Sequence, residues 1–347
     1  MSETDNLVEE TVDRLLADRC TPEAMERAEA EGWCAPVWDG LVEAGFSRIA
    51  LPEEAGGSGG SLTDAGAVLR VLGRYAAPVP FAETTLLGGW LLTGAGLPLP
   101  EGPITVVPEL LHLRSGRITG RSRVAWAGRA QAIAAIVAAP DGLLVALVDP
   151  SDVGIEPGSN LAGEPRESVR FDVPLREAAQ RPAPAGVDPG SLRLRGALSR
   201  VLLMAGAAEA MSRMTVEYAY ERHQFGQPIA RFQAVQQHLV VIAQCAAQLS
   251  MAANLAVRAV EHGPALMEVA AAKVIADDAA VAGTRAAHQA HGAMGMTREY
   301  PLHRLTRALW SWRHEYGHAR GWSRQLGDLA HGAGADGLFP LVTRTEP

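Results

Sequence analysis

Tyr218-Ala-Tyr-Glu-Arg-His-Gln-Phe-Gly-Gln-Pro-Ile229, followed by Phe232-Gln233, joins two long helical stretches. Before it the chain reads as helix from about Leu192. After it Leu239, Ile242, Ala246, Leu249, Ala253, Ala256 and Val260 recur at alternating spacings of three and four, the seam of closely packed helices. Gly226-Gln-Pro228 interrupts helix, because glycine frees the backbone and proline supplies no amide donor. Arg222 therefore stands at a helix end, where its planar guanidinium suits the paired oxygens of a carboxylate or a diphosphate.

Further along, Gly263-Pro264 ends one helix and opens the next, with proline near its first position. That helix carries Val269, Val274 and Ile275 and runs to Gly292, and a last helix follows Tyr300-Pro301. Long helices with short connections predict an up-and-down four-helix bundle over residues 186–332, with a tail at 333–347. Toward the N-terminus the character changes. Ile104-Thr-Val-Val107, Arg117-Ile-Thr119, Ala132 to Ala139, Leu143 to Val148 and Ser168 to Val173 are short strand-like runs. Turn residues such as Pro140-Asp-Gly142 divide them, which predicts a small, mainly antiparallel β barrel or sandwich over 101–185. Arg181-Pro-Ala-Pro-Ala-Gly186 reads as a linker. Residues 1–100 form an N-terminal helical domain. Leu7 to Ala17 and Trp33 to Ala44 are helices, Leu51 to Gly60 is a Gly-rich turn, and Ser61-Leu-Thr63 caps a helix that Ala77-Pro-Val-Pro80 ends. The class is mainly α with a small β domain.

The 347 residues allow two or three subdomains, and 48% apolar with 20% charged residues is globular. A net charge of −8 lacks the basic footprint of a nucleic-acid binder. Cys20, Cys34 and Cys245 form no C-x-x-C pair, so neither a disulfide framework nor a cysteine metal site is implied, which fits a reducing cytoplasm. The acidic start has no signal-peptide core. Thr84 to Pro100 is broken by glycine and proline, and Phe232 to Val257 carries five glutamines, so no membrane span is expected. His288 and His291 lack a third ligand at useful spacing, so no metal site is expected either.

Three segments, taken in this domain order, resemble the acyl-CoA dehydrogenase family. Leu51-Pro-Glu-Glu-Ala-Gly-Gly-Ser-Gly-Gly60 is similar to its "PEEYGG-G" turn. Tyr218 to Gln233 resembles "Y-x-x-x-R-x-Q-F-G-x-P-I … F-Q", the most specific match. Gln289-Ala-His-Gly-Ala-Met-Gly295 with Glu299-Tyr-Pro-Leu302 and Arg304 resembles "Q-x-x-G-G-x-G … E-Y-P-x-x-R". The likeness covers most of the chain, and the β domain matches poorly.

The resemblance implies α,β-dehydrogenation of an acyl-CoA thioester with FAD, passing electrons to an electron-transfer acceptor. It places Arg222, Gln224 and Phe225 on the FAD diphosphate and adenosine, with Gln233 assisting. It places Gln289, Gly292 and Ala293 against a cofactor held mainly by a neighbouring subunit, and Ala293 stands where the family has glycine. The family's catalytic glutamate has no counterpart. Its E-G-T triplet falls on Tyr316-Gly-His318, and Glu315, one residue earlier, points about 100° away on a helix. The family's other base position falls near Gly196 or Ser199. Glu209 and Glu217 are expected at surfaces or bundle ends, with Glu209 the better candidate of the two for a spare base. Val124-Ala-Trp126 stands where the family has "W-I-T", and the "T-E-P-x-x-G-S-D" run that faces the flavin ring has no clear match. No catalytic residue is assigned in this chain. It most resembles the short subunit of actinobacterial heterotetrameric acyl-CoA dehydrogenases, in which a longer partner carries the base. Pairing with itself, a silent structural subunit, and a flavin oxidase or monooxygenase of the same fold are the rival readings.

Overall fold

The computed structural model describes residues 3–175, 180–263 and 265–343. Pro264, read as opening a helix, lies outside these, as do the first two residues and the end of the tail.

The N-terminal domain contains α1 (Glu3–Arg19), α2 (Pro22–Glu31), α3 (Ala35–Glu43), α4 (Leu62–Tyr75) and α5 (Gly89–Gly94). The proposed cap of α4 forms a full capping box. Ser61 Oγ accepts from the Asp64 amide at 2.9 Å, and the Asp64 carboxylate accepts from the Ser61 amide at 2.8 Å. Ala82–Gly88, which sequence reading left unassigned, is a buried π-helical segment leading into α5.

The β domain is an eight-stranded sheet: β1 (Ile104–Val106), β2 (Leu111–Arg114), β3 (Arg117–Ala125), β4 (Ala132–Ala139), β5 (Gly142–Val148), β6 (Gly154–Glu156), β7 (Arg166–Pro174) and β8 (Gln180–Pro182). Five of its seven strand pairings are antiparallel, as expected, and the exceptions are β1 and β2, which both pair parallel with β4, one near each end of that strand. The expected linker also begins inside the sheet, with β8 paired to β5. β4 explains why the sheet holds to the rest. Ala134 and Ile136 join the helical core, while Ile133, Ala135 and Val137 join the core of the β domain. A period of two thus puts one strand in both cores.

The bundle comprises α6 (Pro189–Glu221), α7 (Gln233–His262), α8 (Leu266–His291), α9 (Leu302–Trp312) and α10 (Ala319–Thr343). The single last helix expected after Pro301 is two, divided by a turn at residues 313–318, and α10 is itself broken at Gly334 (φ +68°, ψ −179°), beyond which the expected tail forms a further helical stretch to Thr343. α7 is, against expectation, long and apolar enough by length and composition to cross a membrane. Its apolar seam is spent on α6 and α8. α4 crosses α6 almost backbone to backbone. A Cβ on Gly206 would lie 1.8 Å from the Arg70 carbonyl oxygen, and one on Gly73 would lie 2.0 Å from that of Leu203.

Candidate functional site

The interior between α6, the π-helical segment and the turn after α9 is filled by charge. Arg200 of α6 donates to Glu83 at 2.5 Å and to Glu315 at 2.6 Å. Arg166 of β7 grips the other side of Glu315, at 2.8 and 3.1 Å, and donates to Glu164 at 3.0 Å. Trp312 Nε1 also donates to Glu164, at 3.0 Å. Burial alone would raise the Glu315 carboxyl, but Arg166 and Arg200 outweigh it and bring the group down to about 2. Glu315 is therefore ionised and shared between two guanidiniums. Tyr316 follows at φ +55°, with burial pushing its phenol up. Its ring lies on Gly196, where a Cβ would come within 2.2 Å of Cδ1. The two positions where a base was sought therefore meet, and what they form is a plug. The space left beside Glu83, Arg166, Arg200 and Trp312 is about 10 Å³, no more than a water needs.

Other candidate residues also turn out structural. Glu209 is not at a surface or a bundle end. It binds Arg70 at 2.5 Å and Arg74 at 3.1 Å, tying α4 to α6, and it accepts from Ser250 of α7. Glu217 is exposed. Trp126 is buried, donates to the Gly32 carbonyl at 3.1 Å and has the Arg166 guanidinium 4.8 Å from its ring centroid. Ser199 turns its hydroxyl to the Gly196 carbonyl at 2.7 Å.

The far end of α6 is open. Arg222 is its C-cap, and the short hairpin of β9 (His223–Gln224) and β10 (Gln227–Pro228) follows. Arg222, Gln224, Phe225, Gln233, Gln289, Gly292 and Ala293 are all exposed. Arg222 has no ion pair among the described residues. Phe225 holds φ +52° at the hairpin tip with 93% of its surface exposed, one edge toward Phe232. The ends of α6 and α8 are locked together. Tyr218 stacks on His291 with centroids 4.4 Å apart and donates to the His291 carbonyl at 3.3 Å. α7 starts between them at Gln233 without a side-chain cap. Gly292, at φ +59° and ψ −137°, has nothing within 4 Å of a built Cβ.

The profile of the acyl-CoA dehydrogenase N-terminal domain matches residues 2–97, and that of the C-terminal domain matches residues 195–314. Acyl-CoA dehydrogenase IpdE2 of Mycolicibacterium smegmatis is 32% identical, over 87% of this chain and 91% of its own length. The chain belongs to the acyl-CoA dehydrogenase family. IpdE2 of Mycobacterium tuberculosis is 30% identical over 86% of this chain and 88% of its own. A chain of the ChsE4-ChsE5 complex from Mycobacterium tuberculosis superposes with a TM-score of 0.86 at 26% identity, covering 95% of this chain and 98% of that one.

FAD is the cofactor that goes with this family. The open end of the bundle suits such a dinucleotide. It has an unpaired guanidinium and an uncapped helix start for negative oxygens, an exposed ring for a flat base, and a backbone with no side chain in the way at Gly292. The buried plug was not legible beforehand. Glu83 and Arg166 sit in stretches with no motif, and only the sheet and the π-helical segment bring them to Arg200.

Proposed function

We propose that this chain is the short subunit of a hetero-oligomeric flavoprotein that dehydrogenates an acyl-CoA thioester, completing a flavin site held by a longer partner. One observation carries the reading: Tyr316 and the Arg200–Glu315 pair fill the position of the base, while the outward-facing cluster around Arg222 is left open. Bound FAD would supply the two-electron acceptor. This chain's part is binding and orientation. Arg222 clasps the diphosphate, Gln224 and Phe225 lie along the adenosine, Gln233 assists from the start of α7, and Gln289, Gly292 and Ala293 approach from the end of α8. The proton-abstracting carboxylate belongs to the partner.

The test is co-purification with a longer relative that keeps the glutamate, followed by flavin absorbance and acyl-CoA oxidation with an artificial acceptor. The expected complex is yellow and active. Arg222→Ala removes charge-assisted hydrogen bonds worth about 1.5–3 kcal/mol, so flavin retention falls by roughly 10- to 150-fold. An active complex whose flavin content ignores Arg222→Ala would leave this chain a silent structural subunit. Oxygen consumption without enoyl-CoA would move it to the oxidases.

A further inference from the structure

At the opposite end of the bundle a cleft of about 520 Å³ opens between the starts of α6 and α8, the end of α7 and the first turn of α10. That is the size of an organic ligand's site. Two guanidiniums line it. Arg193 lies 4.3 Å from the Trp322 ring centroid, and Arg195 lies 4.4 Å from that of Trp90. Arg195 Nε donates to the Leu86 carbonyl at 3.2 Å, and Arg193 Nε reaches the Tyr316 carbonyl at 3.5 Å. Neither has a carboxylate partner among the described residues. Burial, with no anion to oppose it, brings Arg195 down to about 10.

Further features of the cleft favour an anion. α6 and α8 both begin on it, so two positive helix ends share one space, and α8 has no side-chain cap. Asp188 is the acidic residue on the wall, and its carboxylate is occupied by the Ser191 amide at 2.7 Å. Trp322 and Gln325 complete the wall, and the Trp322 side chain is 1% exposed, with its Nε1 turned to the Gly317 turn, 2.9 Å from a Cβ built there.

We propose that this cleft binds a phosphorylated organic ligand which the chain does not transform. Phosphoryl oxygens sit on Arg193 and Arg195, and the body lies on Leu194, Val260 and Leu266. The plug of Tyr316 on Gly196 separates the cleft from any reaction chamber in this chain, so the bound molecule is an effector. It acts through Arg193, whose guanidinium lies within 3.1–3.2 Å of a Cβ built on Gly317 and so braces the turn that carries Tyr316. The proposal does not depend on the flavin reading.

The probes are ADP, coenzyme A and inorganic phosphate, titrated by calorimetry and tryptophan fluorescence into the full chain, alone and in its co-purified assembly. ADP or coenzyme A is expected to bind and quench tryptophan emission, with phosphate at least about tenfold weaker. Arg193→Gln and Arg195→Gln should each weaken binding about tenfold or more while flavin content stays constant. Coenzyme A binding more tightly than ADP identifies a thioester carrier as the source, and equal affinities identify the nucleotide moiety. Phosphate binding as tightly as ADP overturns the organic ligand. Absence of binding at millimolar concentration, or binding indifferent to both substitutions, overturns the site. A melting curve checks that each variant folds, and Arg195→Lys, which keeps charge without the planar fork, should bind with intermediate affinity.

Discussion

Arg200 and Arg222 ride on the same helix, roughly 33 Å apart at 1.5 Å per residue, and have opposite fates. Arg200 is buried between two carboxylates. Arg222 stands in solvent with no ion pair among the described residues. A buried guanidinium must be matched by anions from its own chain, because taking it out of water costs several kcal/mol. An exposed one carries no such debt and is free for a partner's anion. One helix thus gives up its inner part to stability and leaves its outer end open. On the function proposed above, that division is what would separate this chain from a self-sufficient dehydrogenase.

The strongest challenge to the contrast is Glu315→Ala. It leaves two buried guanidiniums short of an anion, and losses of about 3–5 kcal/mol are typical when one member of a buried pair is removed. Urea denaturation measures it. The pH dependence carries a second signature. The folded-state pKa of about 2 lies below the ordinary value of 4.5, so Glu315 contributes stability above about pH 4.5 and loses it as pH falls toward 2. The variant should show a shallower acid limb over that window. A variant as stable as the parent would mean that the inner site is not built on this carboxylate.

Gly196→Ala should have the next largest effect. The new methyl meets the Tyr316 ring at 2.2 Å, and the ring is wedged between Gly196 and Arg200, whose guanidinium carbon lies 5.3 Å from its centroid. Overpacking of this kind costs about 1–3 kcal/mol. Adding Tyr316→Ala should recover part of the loss, since contacting residues are not additive. Additive losses would show that the ring does not rest on Gly196.

The same contrast explains what the sequence disclosed. The outer end could be singled out as a candidate because its residues lie close together along the chain: Arg222 to Phe225 in one hairpin, and Gln289 to Ala293 in one helix end. Helical seams were legible for the same reason, as the repeat in α7 shows. The inner plug joins Glu83, Arg166, Arg200 and Glu315, and the pairs are separated by more than a hundred residues. No spacing rule links them. Glu315 stood as a base only if the register slipped, and its partners could not be named. The parallel pairing of β1 and β2 with β4 stayed hidden because short apolar strands carry a period of two whichever way they pair. The break between α9 and α10 hides in a turn whose one glycine, Gly317, sits at φ +110°.

The smallest expected effect on stability tests the outer end most sharply. Phe225 holds a left-handed conformation that costs a bulky residue about 1 kcal/mol, yet it buries almost nothing of its own. Phe225→Gly relieves that strain. It also loosens the unfolded chain by a similar amount and removes one edge contact with Phe232, worth about 0.5 kcal/mol. These terms nearly cancel, so the melting temperature should hardly move. Flavin retention in the assembly should still fall severalfold, because a ring stacked on a base is worth about 1–3 kcal/mol. Unchanged stability with lost flavin would mean that the strained ring is kept for a ligand. A destabilisation above about 1 kcal/mol with flavin intact would make the hairpin a folding element, and the two ends of α6 would then serve the same purpose.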